Sequence, residues 1–540
     1  MKVSENGGNF ILEIPSTQKK IVADHMAYRG LTFSTSASTR EKAVLWGTNP
    51  YSLADLAEPD APMLGAYRKQ IDLSRALDGK GTAKLPPGVE LWDYQKATLD
   101  YLLERKGGIN GDQPGLGKTI TSIAYCNARE AQRILVIVPA SVRIQWGEQI
   151  KRFSTIPLCK ISVMLKVKDG IHPTANYQVI SYDAARNPAI IRAISKYEWD
   201  VLIMDECHKM KNAAALTSRA VIGNSRGEYH HGDHKMKAIA THCREHLALT
   251  GTPLLNRPSE VWNLFRHFDW EAIDFLSEEK FKDRYNRQAD MRTIEGKRFK
   301  LESTSLEYEL QNRLRVNIMA RHEKKDVWRF MKPPRYSIVK CEENATVRNA
   351  LDAEGMLDIS IDDIQTTKDF EILGHIAEAR RLMGVALAPQ IAEYASDFLE
   401  GSDEKLTIFG WHIEVLDIFE RELAKFGTVR VDGRKSPTAR QKAVDDFIAD
   451  DNVRVFIGNI QAAGTGLDGL QKVCSRCYLA EPDWVPAQNE QAVSRLDRFG
   501  QENLVSAEIF VAPGSISEKI LVKALEKLNV IHRVLDQKGK

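Results

Sequence analysis

The chain has 540 residues, and at roughly 150 residues per domain this length predicts three to four folding units. Charged residues make up 27% and hydrophobic residues 43% of the chain, and 75 Lys and Arg against 73 Asp and Glu give a formal net charge of +2. This composition excludes collagen-like, fibrous and wholly disordered proteins. The sequence shows no apolar run of the roughly 18–20 residues that span a membrane, no secretion-signal pattern and no disulfide framework. We therefore expect a protein of a reducing compartment without a membrane partner.

The distribution of apolar runs divides the chain into four regions. Residues 1–85 contain short strand-like runs and end at a linker rich in Gly and Pro. In residues 86–270 and again in residues 401–540, short Val/Ile/Leu runs alternate with amphipathic helical stretches, which is typical of buried parallel strands. Residues 271–400 are charged and mainly helical, interrupted by one strand in KPPRYSIVKC. The sequence thus predicts an α/β fold in which two parallel-sheet units flank a helical middle and linker.

A glycine-rich loop, GDQPGLGKTITSIA, is the sharpest local signal. Gly115 and Gly117 allow backbone N–H groups to approach phosphate oxygens, and a helix starting near Lys118 directs its positive dipole end at the same anion. In such a loop the lysine reaches the β- and γ-phosphates, and the Thr119 hydroxyl binds Mg²⁺. The strict pattern has glycine at the position of Asp112, so this loop is a variant. A chance match in an ordinary loop is the alternative.

A second signal is the apolar run WDVLIMDECHK, which ends in two acids. A parallel strand that ends in carboxylates presents them at the edge of the sheet where α/β folds bind ligands. Following a phosphate loop, Asp205 is expected to hold Mg²⁺ through its waters, and Glu206 to orient or deprotonate the attacking water. A solvated strand end is the alternative. We expect Cys207 to fill space behind the acids and His208 to relay the nucleotide state.

Together with HLALTGTPLLNRPSEVWNLF, these motifs resemble the Snf2 family of helicase-superfamily-2 ATPases over about residues 91–525. Departures from the family pattern are Gln-Pro in place of Glu-Met before GLGKT, and DECH in place of DEAH. The spacing around IAEYASDFLE is most similar to the annealing-helicase (HARP-type) branch. Further blocks that resemble family motifs are LWDYQKA, ILVIVPASVRIQW, IMARHEKKDVWRFMKPPRYSIVKC, KLTIFGWHIEVLDIF, VDGRKSPTARQKAVDDF, IGNIQAAGTGLDG and EPDWVPAQNEQAVSRLDRFGQ.

The resemblance implies two RecA-like lobes with parallel sheets that bind ATP and Mg²⁺, with helical insertions between them. The second lobe would supply Arg495 and Arg498 as arginine fingers, with Gln491 nearby, whereas a solvated helix surface is the alternative for the arginines. The first lobe would supply an adenine-reading glutamine, the phosphate loop and the two acids, which are Gln95, Gly115, Leu116, Gly117, Lys118, Thr119, Asp205 and Glu206.

The resemblance also implies contacts with the DNA backbone, which carry no sequence information. Thr250 and Thr252 would couple these contacts to the nucleotide state. Residues 313–340 contain nine Lys and Arg but only two Asp and Glu. Such a basic run is usually a solvated surface, but we expect this one to contact the backbone of duplex DNA. The residues expected at the DNA are Ser141, Ser181, Gly464, Thr465, Gly466, Lys324, Lys325 and Arg329.

The function implied is an ATP-dependent double-stranded DNA translocase that displaces proteins, remodels complexes or reanneals strands. We expect a DNA-dependent ATPase that is monomeric and cytoplasmic, associated with the nucleoid in a bacterial or virus-infected cell, or nuclear in a eukaryote. Two alternatives remain, a strand-separating DNA or RNA helicase and a catalytically silent DNA-binding scaffold. Residues 1–85 are either an accessory module that selects DNA structures or an inert extension of the first lobe.

Other features are expected to be structural. Cys474 and Cys477 form a lone CxxC pair, which favours core packing over a zinc site because no second pair has a suitable spacing. The segment GEYHHGDHK, with three histidines, is expected to be a solvated loop and not a metal site. Trp146 and Trp484 lie within motifs, and we favour packing over DNA contact for both.

Overall fold

The chain is described here by a computed structural model. The described residues are 2–6, 9–15, 42–47, 51, 62–254, 257–285, 288–292, 298–302, 306–328, 333–356, 370–460, 468–483, 485–522 and 524–525. They form two compact units: the second comprises residues 114–116 and the described residues from Trp328 onward, and the first comprises the other described residues. Among the described residues, no helix is long and apolar enough to cross a membrane.

The first unit contains a seven-stranded sheet in which every neighbouring pair is parallel. Its strand order is β14-β4-β11-β8-β5-β7-β6, so the strand before the glycine-rich loop and the strand ending in the acids are separated by one strand. The strands up to the end of this unit are β1 Lys2–Asn6, β2 Asn9–Pro15, β3 Lys42–Gly47, β4 Gly107–Asn110, β5 Ile134–Val138, β6 Ile161–Val163, β7 Tyr177–Ser181, β8 Trp199–Asp205, β9 Glu228–His231, β10 His234–Lys237, β11 Cys243–Leu249, β12 Gln288–Arg292, β13 Arg298–Glu302 and β14 Met319–Ala320.

Helices pack on both faces of this sheet because its central strands are apolar on both sides. Every residue of β5 is buried: Ile134 and Val136 join the core cluster on one face, and Leu135 joins the cluster on the other. Continuous Val/Ile/Leu runs therefore mark this sheet, as the sequence predicts. The helices are α1 Pro62–Arg75, α2 Asp93–Arg105, α3 Lys118–Ala128, α4 Arg143–Phe153, α5 Tyr182–Ala185, α6 Pro188–Ile194, α7 Leu216–Val221, α8 Trp262–Phe268, α9 Glu278–Tyr285, α10 Glu307–Asn317 and α11 Lys324–Val327.

The second unit contains a six-stranded parallel sheet with the order β15-β20-β19-β16-β18-β17. Along β18, Val455 and Ile457 face one core cluster and Phe456 faces the other, so this sheet is also covered on both sides. The two sheets confirm the predicted α/β class. The elements are β15 Arg335–Lys340, α12 Ala345–Met356, α13 Phe370–Gly401, β16 Leu406–Gly410, α14 Ile413–Glu422, β17 Thr428–Val431, α15 Pro437–Ala449, β18 Val455–Asn459, β19 Arg476–Leu479, α16 Pro486–Val493 and β20 Ser506–Val511.

Some elements differ from the sequence-based expectation. The histidine-rich segment expected to be a loop is an antiparallel hairpin of β9 and β10, which pairs His231 with His234. In the first 85 residues β1, β2 and β3 form an antiparallel sheet. The region assigned to helices and linker contributes β14 to the first sheet and β15 to the second. Cys474 and Cys477 are buried in a core cluster of the second unit, and the described residues contain no group of three or more His, Cys, Asp or Glu side chains that could hold a metal ion.

Candidate active site

The glycine-rich loop connects β4, the second strand from one edge of the first sheet, to α3. Gly115 and Gly117 have φ values of 93° and 78°, which side chains disfavour, so both glycines are needed for the course of the backbone. A Cβ atom on Gly117 would lie 2.3 Å from Nε2 of Gln95. The second glycine therefore lets the loop approach the predicted adenine-reading glutamine closely. Gln95 is buried, and its Oε1 accepts the backbone N–H of Trp92 at 3.0 Å.

Lys118 is the first residue of α3, and its ammonium is held by the loop itself. Its Nζ donates to the backbone oxygens of Asp112 at 2.7 Å and Gln113 at 3.3 Å. Burial lowers the pKa of Lys118, and the negative charges of Glu206, Asp112 and Asp205 oppose that shift. The charges of the acid pair therefore act on the loop lysine, although Lys118 and Asp205 are 87 positions apart in the sequence.

Asp205 is the last residue of β8, and both of its carboxylate oxygens accept hydrogen bonds. Its Oδ1 accepts the backbone N–H of Glu206 at 3.0 Å, and its Oδ2 accepts the indole Nε1–H of Trp146 at 2.8 Å. Burial raises the pKa of Asp205 to about 6; Glu206 adds to this shift, and the bond from Trp146 opposes it. Trp146 is buried, as expected, but it also contacts the site.

Glu206 lies where the chain turns sharply out of β8. Its φ of 52° is in the left-handed region, which is uncommon for a residue with a side chain. Its Oε2 lies 3.5 Å from Oγ1 of Thr250 and 3.2 Å from Nδ1 of His208, and that Nδ1 is 3.2 Å from the same hydroxyl. The backbone N–H of Thr252 donates to Oγ1 of Thr250 at 3.1 Å. The two threonines of LTGTP are therefore joined to the second acid, and their role in coupling stays a prediction.

The side chains around the loop fit Mg²⁺. A carboxylate at Asp205 and a hydroxyl at Thr119 are the hard oxygen donors that Mg²⁺ prefers, and Mg²⁺ usually keeps several waters and takes few ligands from the protein. Thr119 is the second residue of α3, directly after Lys118. The residue types therefore fit the ion, and the joint binding of Mg²⁺ and a nucleotide by these two residues stays a prediction.

A buried pair at the start of the loop was not predicted from the sequence. Asp112 is fully buried, and its Oδ1 accepts both the backbone N–H of His322 at 2.9 Å and a bond with Nδ1 of that histidine at 2.8 Å. The hydroxyl of Thr98 donates to Oδ2 of Asp112 at 3.2 Å. The neighbouring Arg321 donates from Nη1 to the backbone oxygens of Gly111 at 2.6 Å and Gly251 at 2.9 Å. The only signal in the sequence was an aspartate where the strict loop pattern has glycine.

The predicted arginine fingers belong to the second unit. Arg495 and Gln491 are buried there, and Arg498 donates from Nε to the backbone oxygen of Ser494 at 2.8 Å and pairs through Nη1 with Asp468 at 3.2 Å. These contacts give the Arg498 side chain a defined place within its own unit. Their action on a nucleotide stays a prediction.

The residues expected at the DNA have mixed surroundings. Ser141 lies in a short turn after β5, and Ser181 caps α5 by accepting the backbone N–H of Ala184 at 3.2 Å. Lys324 donates its backbone N–H to Oε1 of Gln113 at 2.9 Å, and Nζ of Lys325 pairs with Glu323 at 2.8 Å. The remaining predicted positions lie outside the described residues: Arg329, Gly464, Thr465 and Gly466, together with Trp484.

Comparison with known proteins bears on this site. Residues 94–386 match the SNF2-related domain, and residues 390–500 match the helicase conserved C-terminal domain. A curated relative is the SWI/SNF-related matrix-associated actin-dependent regulator of chromatin subfamily A-like protein 1 homolog of Caenorhabditis elegans, 26% identical over 465 residues that cover 82% of this chain and 62% of the relative. Another is the DNA annealing helicase and endonuclease ZRANB3 of Homo sapiens, 27% identical over 445 residues that cover 79% of this chain and 39% of the relative.

The chain thus spans between 39% and 62% of the length of these two relatives. Among solved structures, it is similar to the Sulfolobus solfataricus SWI2/SNF2 ATPase core in complex with dsDNA. That match has a TM-score of 0.36 at 17% sequence identity and covers 84% of this chain and 98% of the other.

Proposed function

The chain belongs to the Snf2 family of helicase-superfamily-2 ATPases, and from this premise we propose that it hydrolyses ATP to move along double-stranded DNA. The observation that carries the proposal is the convergence of Lys118 with Asp205 and Glu206 at one edge of the first sheet. These three side chains are the minimum for binding the phosphates, holding the metal ion and activating water. Displacement of proteins, remodelling or strand reannealing would be the result of that movement.

In this proposal each site residue of the first unit has one role in binding or hydrolysing ATP. Lys118 leaves the carbonyl oxygens that it now contacts and binds the β- and γ-phosphates. Asp205 and Thr119 would hold Mg²⁺, which would neutralise charge on the phosphates when bound. Glu206 accepts the proton of the attacking water, and Gln95 contacts the adenine. The fixed partial charges of the loop N–H groups add to the binding of the phosphates.

The second unit would complete turnover through its arginines. An arginine that faces the γ-phosphate is typically worth about 10³–10⁵ in turnover, because a fixed charge stabilises the transferring group. Arg495 and Arg498 are the candidates, with Gln491 nearby. Because both units would then be needed for turnover, each hydrolysis event would be tied to a change in how the units hold the DNA.

We further propose sequence-independent binding to the duplex backbone, through Ser141, Ser181, Gly464, Thr465 and Gly466 and the basic segment. We propose that the protein acts as a monomer and is located where DNA is, in the nucleoid or the nucleus. The antiparallel sheet in residues 1–85 would select DNA structures or simply extend the first lobe.

Replacing Lys118 with alanine tests whether the chain is a motor. ATP turnover should fall by about 10²–10³-fold, as when one donor to a developing charge is lost. Turnover is measured with no nucleic acid, duplex DNA, single-stranded DNA and RNA, and displacement of a triplex-forming strand reports movement. Stimulation by duplex supports the proposal. Stimulation by single strands or RNA with strand separation favours a helicase, and equal, low turnover in both proteins favours a silent scaffold.

Replacing Lys324 and Lys325 with alanine should weaken DNA binding mainly at low salt. Each lost phosphate contact reduces the steepness of log K against log[salt] by about 0.9. The negative slope should therefore become shallower by about one to two. The measurement is a fluorescence-anisotropy titration of a labelled duplex at four salt concentrations. The control replaces Lys235 and Lys237 with alanine, which removes the same amount of positive charge. These two lysines pair with Glu228 on the β9–β10 hairpin. An equal loss in both variants contradicts the assignment.

A further inference from the structure

We infer that Trp146 is a positioning residue for the magnesium-bound nucleotide, because its indole N–H fixes the orientation of the Asp205 carboxylate. The inference rests on the proposed function, in which Asp205 holds Mg²⁺. The sequence favoured simple packing for this tryptophan, and packing is the explanation that the geometry and the experiment must distinguish from a role at the site.

The indole combines a buried ring with one directed polar contact. Trp146 lies on the first turn of α4, its side chain is 3% exposed, and it packs in the core on one face of the first sheet. Its Nε1 lies 2.8 Å from Oδ2 of Asp205. This distance is typical of a hydrogen bond strengthened by a charged acceptor. A ring that only filled space would not need to place its single polar atom on a carboxylate at the end of a strand.

The second oxygen of the carboxylate is restrained as well. Oδ1 of Asp205 accepts the backbone N–H of Glu206 at 3.0 Å. With one donor on each oxygen, the carboxylate cannot rotate without breaking a hydrogen bond. An ionised carboxylate offers about four lone-pair sites, so about two remain in fixed directions for a metal-bound water. Such second contacts orient a ligand before the metal arrives.

The main chain at Asp205 is also held from a neighbouring strand connection. The hydroxyl of Tyr182 donates to the backbone oxygen of Asp205 at 2.8 Å. Tyr182 is the first residue of α5, which follows β7, whereas Trp146 lies on α4, which follows β5. The residue is therefore fixed by its backbone from one connection and by its side chain from another.

Trp199 provides a matched control within the same unit. It is 1% exposed, lies in the core at the start of β8, and donates its indole Nε1–H to the backbone oxygen of Ile194 at 3.2 Å. Changing either tryptophan to phenylalanine removes one indole N–H and a similar part of a buried ring. Packing alone therefore predicts similar effects of the two changes, whereas positioning predicts an effect of Trp146→Phe on Mg²⁺-dependent binding only.

The experiment measures nucleotide binding without turnover. A fluorescent ADP analogue is titrated with the full chain, once with Mg²⁺ and once with EDTA, and the ratio of the two affinities is the Mg²⁺-dependent gain. In Trp146→Phe we expect this gain to fall by about 10–100-fold, the usual cost of losing a partner that orients a metal ligand. The affinity in EDTA should stay within about twofold of the original, and Trp199→Phe should keep the full gain.

Trp146→His separates loss of the donor from loss of volume, and it gives a second result where Trp146→Phe folds poorly. Histidine is smaller than phenylalanine but retains a ring N–H that can donate to Asp205. A larger Mg²⁺-dependent gain in Trp146→His than in Trp146→Phe supports positioning. Equal losses in these two variants, or a loss in Trp199→Phe that matches Trp146→Phe, overturn the inference. If the unchanged protein binds no nucleotide, the proposed function itself fails. If the unchanged protein binds nucleotide and Trp146→Phe keeps the full Mg²⁺-dependent gain in affinity, only the inference fails.

Discussion

Replacing Glu206 with glutamine should lower ATP turnover by about 10²–10⁴-fold, the usual contribution of a positioned general base. Glutamine has nearly the same shape but does not accept a proton from water at neutral pH. Binding of the nucleotide should change little, because Lys118 and Asp205 keep their places. Steady-state turnover with saturating duplex gives the first quantity, and titration with a fluorescent ADP analogue gives the second.

The control for this prediction is Glu228→Gln, which removes a carboxylate on the β9–β10 hairpin. That carboxylate pairs with Lys235 and Lys237, and these lysines lower its pKa to about 2. It is therefore ionised at neutral pH, so the change removes one negative charge, as Glu206→Gln does. Turnover should be unaffected in the control. If Glu206→Gln retains turnover, or if it loses nucleotide binding to the same extent as turnover, then Glu206 is not the base.

The surroundings of Glu206 explain why a large effect is expected. A left-handed φ of 52° is costly for a residue with a side chain, and such residues persist only where the structure around them fixes the conformation. Here His208 and Thr250 both contact the carboxylate. The negative charge of Glu206 also acts on the loop lysine, because it opposes the lowering of the Lys118 pKa by burial. A residue held in this way is suited to act on a bound phosphate.

Much of the fold follows from local pattern. The strands β5, β8 and β11 of the first sheet, and β16 and β18 of the second sheet, contain apolar runs long enough to be recognised in the sequence. In contrast, β4 has the sequence GGIN and β14 has only two residues, so neither carries a hydrophobic signal. Their neighbours define them. A Cβ on Gly107 would lie 2.4 Å from the backbone oxygen of His246, so this glycine is required by the close approach of β11.

The candidate site divides in the same way. The loop lysine and the acid pair are recognisable because their residue types occur at the ends of predicted strands. The partnership of Asp112 with His322 is not, because 210 residues separate them and nothing periodic joins them. Likewise, the contact between Trp146 and Asp205 depends on the order of strands in the sheet, which the sequence does not determine. Pairwise contacts across the fold are therefore the part that needs a structure.

Replacing Asp112 with alanine should lower the free energy of local opening at the start of the phosphate loop by about 3–5 kcal/mol. A buried hydrogen-bonding group that is left without its partner costs about 1–3 kcal/mol, and three donors lose an acceptor here. Here the backbone N–H and Nδ1 of His322 and the hydroxyl of Thr98 would all lose their acceptor. Since about 1.4 kcal/mol is a factor of ten, amides of β4 and of residues 318–323 should exchange hydrogen about two to four orders of magnitude faster.

Hydrogen exchange followed by mass spectrometry on the full chain measures this effect, and two variants limit its interpretation. Asp112→Asn keeps an oxygen acceptor, so it should accelerate exchange much less than Asp112→Ala. Asp432→Ala removes a buried carboxylate of the second unit that pairs with Arg430 at 2.9 Å and Arg434 at 2.9 Å. It should accelerate exchange around β17 and leave β4 unchanged. Faster exchange throughout the chain in Asp112→Ala would indicate general unfolding and contradict a local role. Faster exchange confined to β4 and residues 318–323 would instead mean that residues 318–323 hold the phosphate loop in place. Movement of these residues would then change the affinity for the nucleotide.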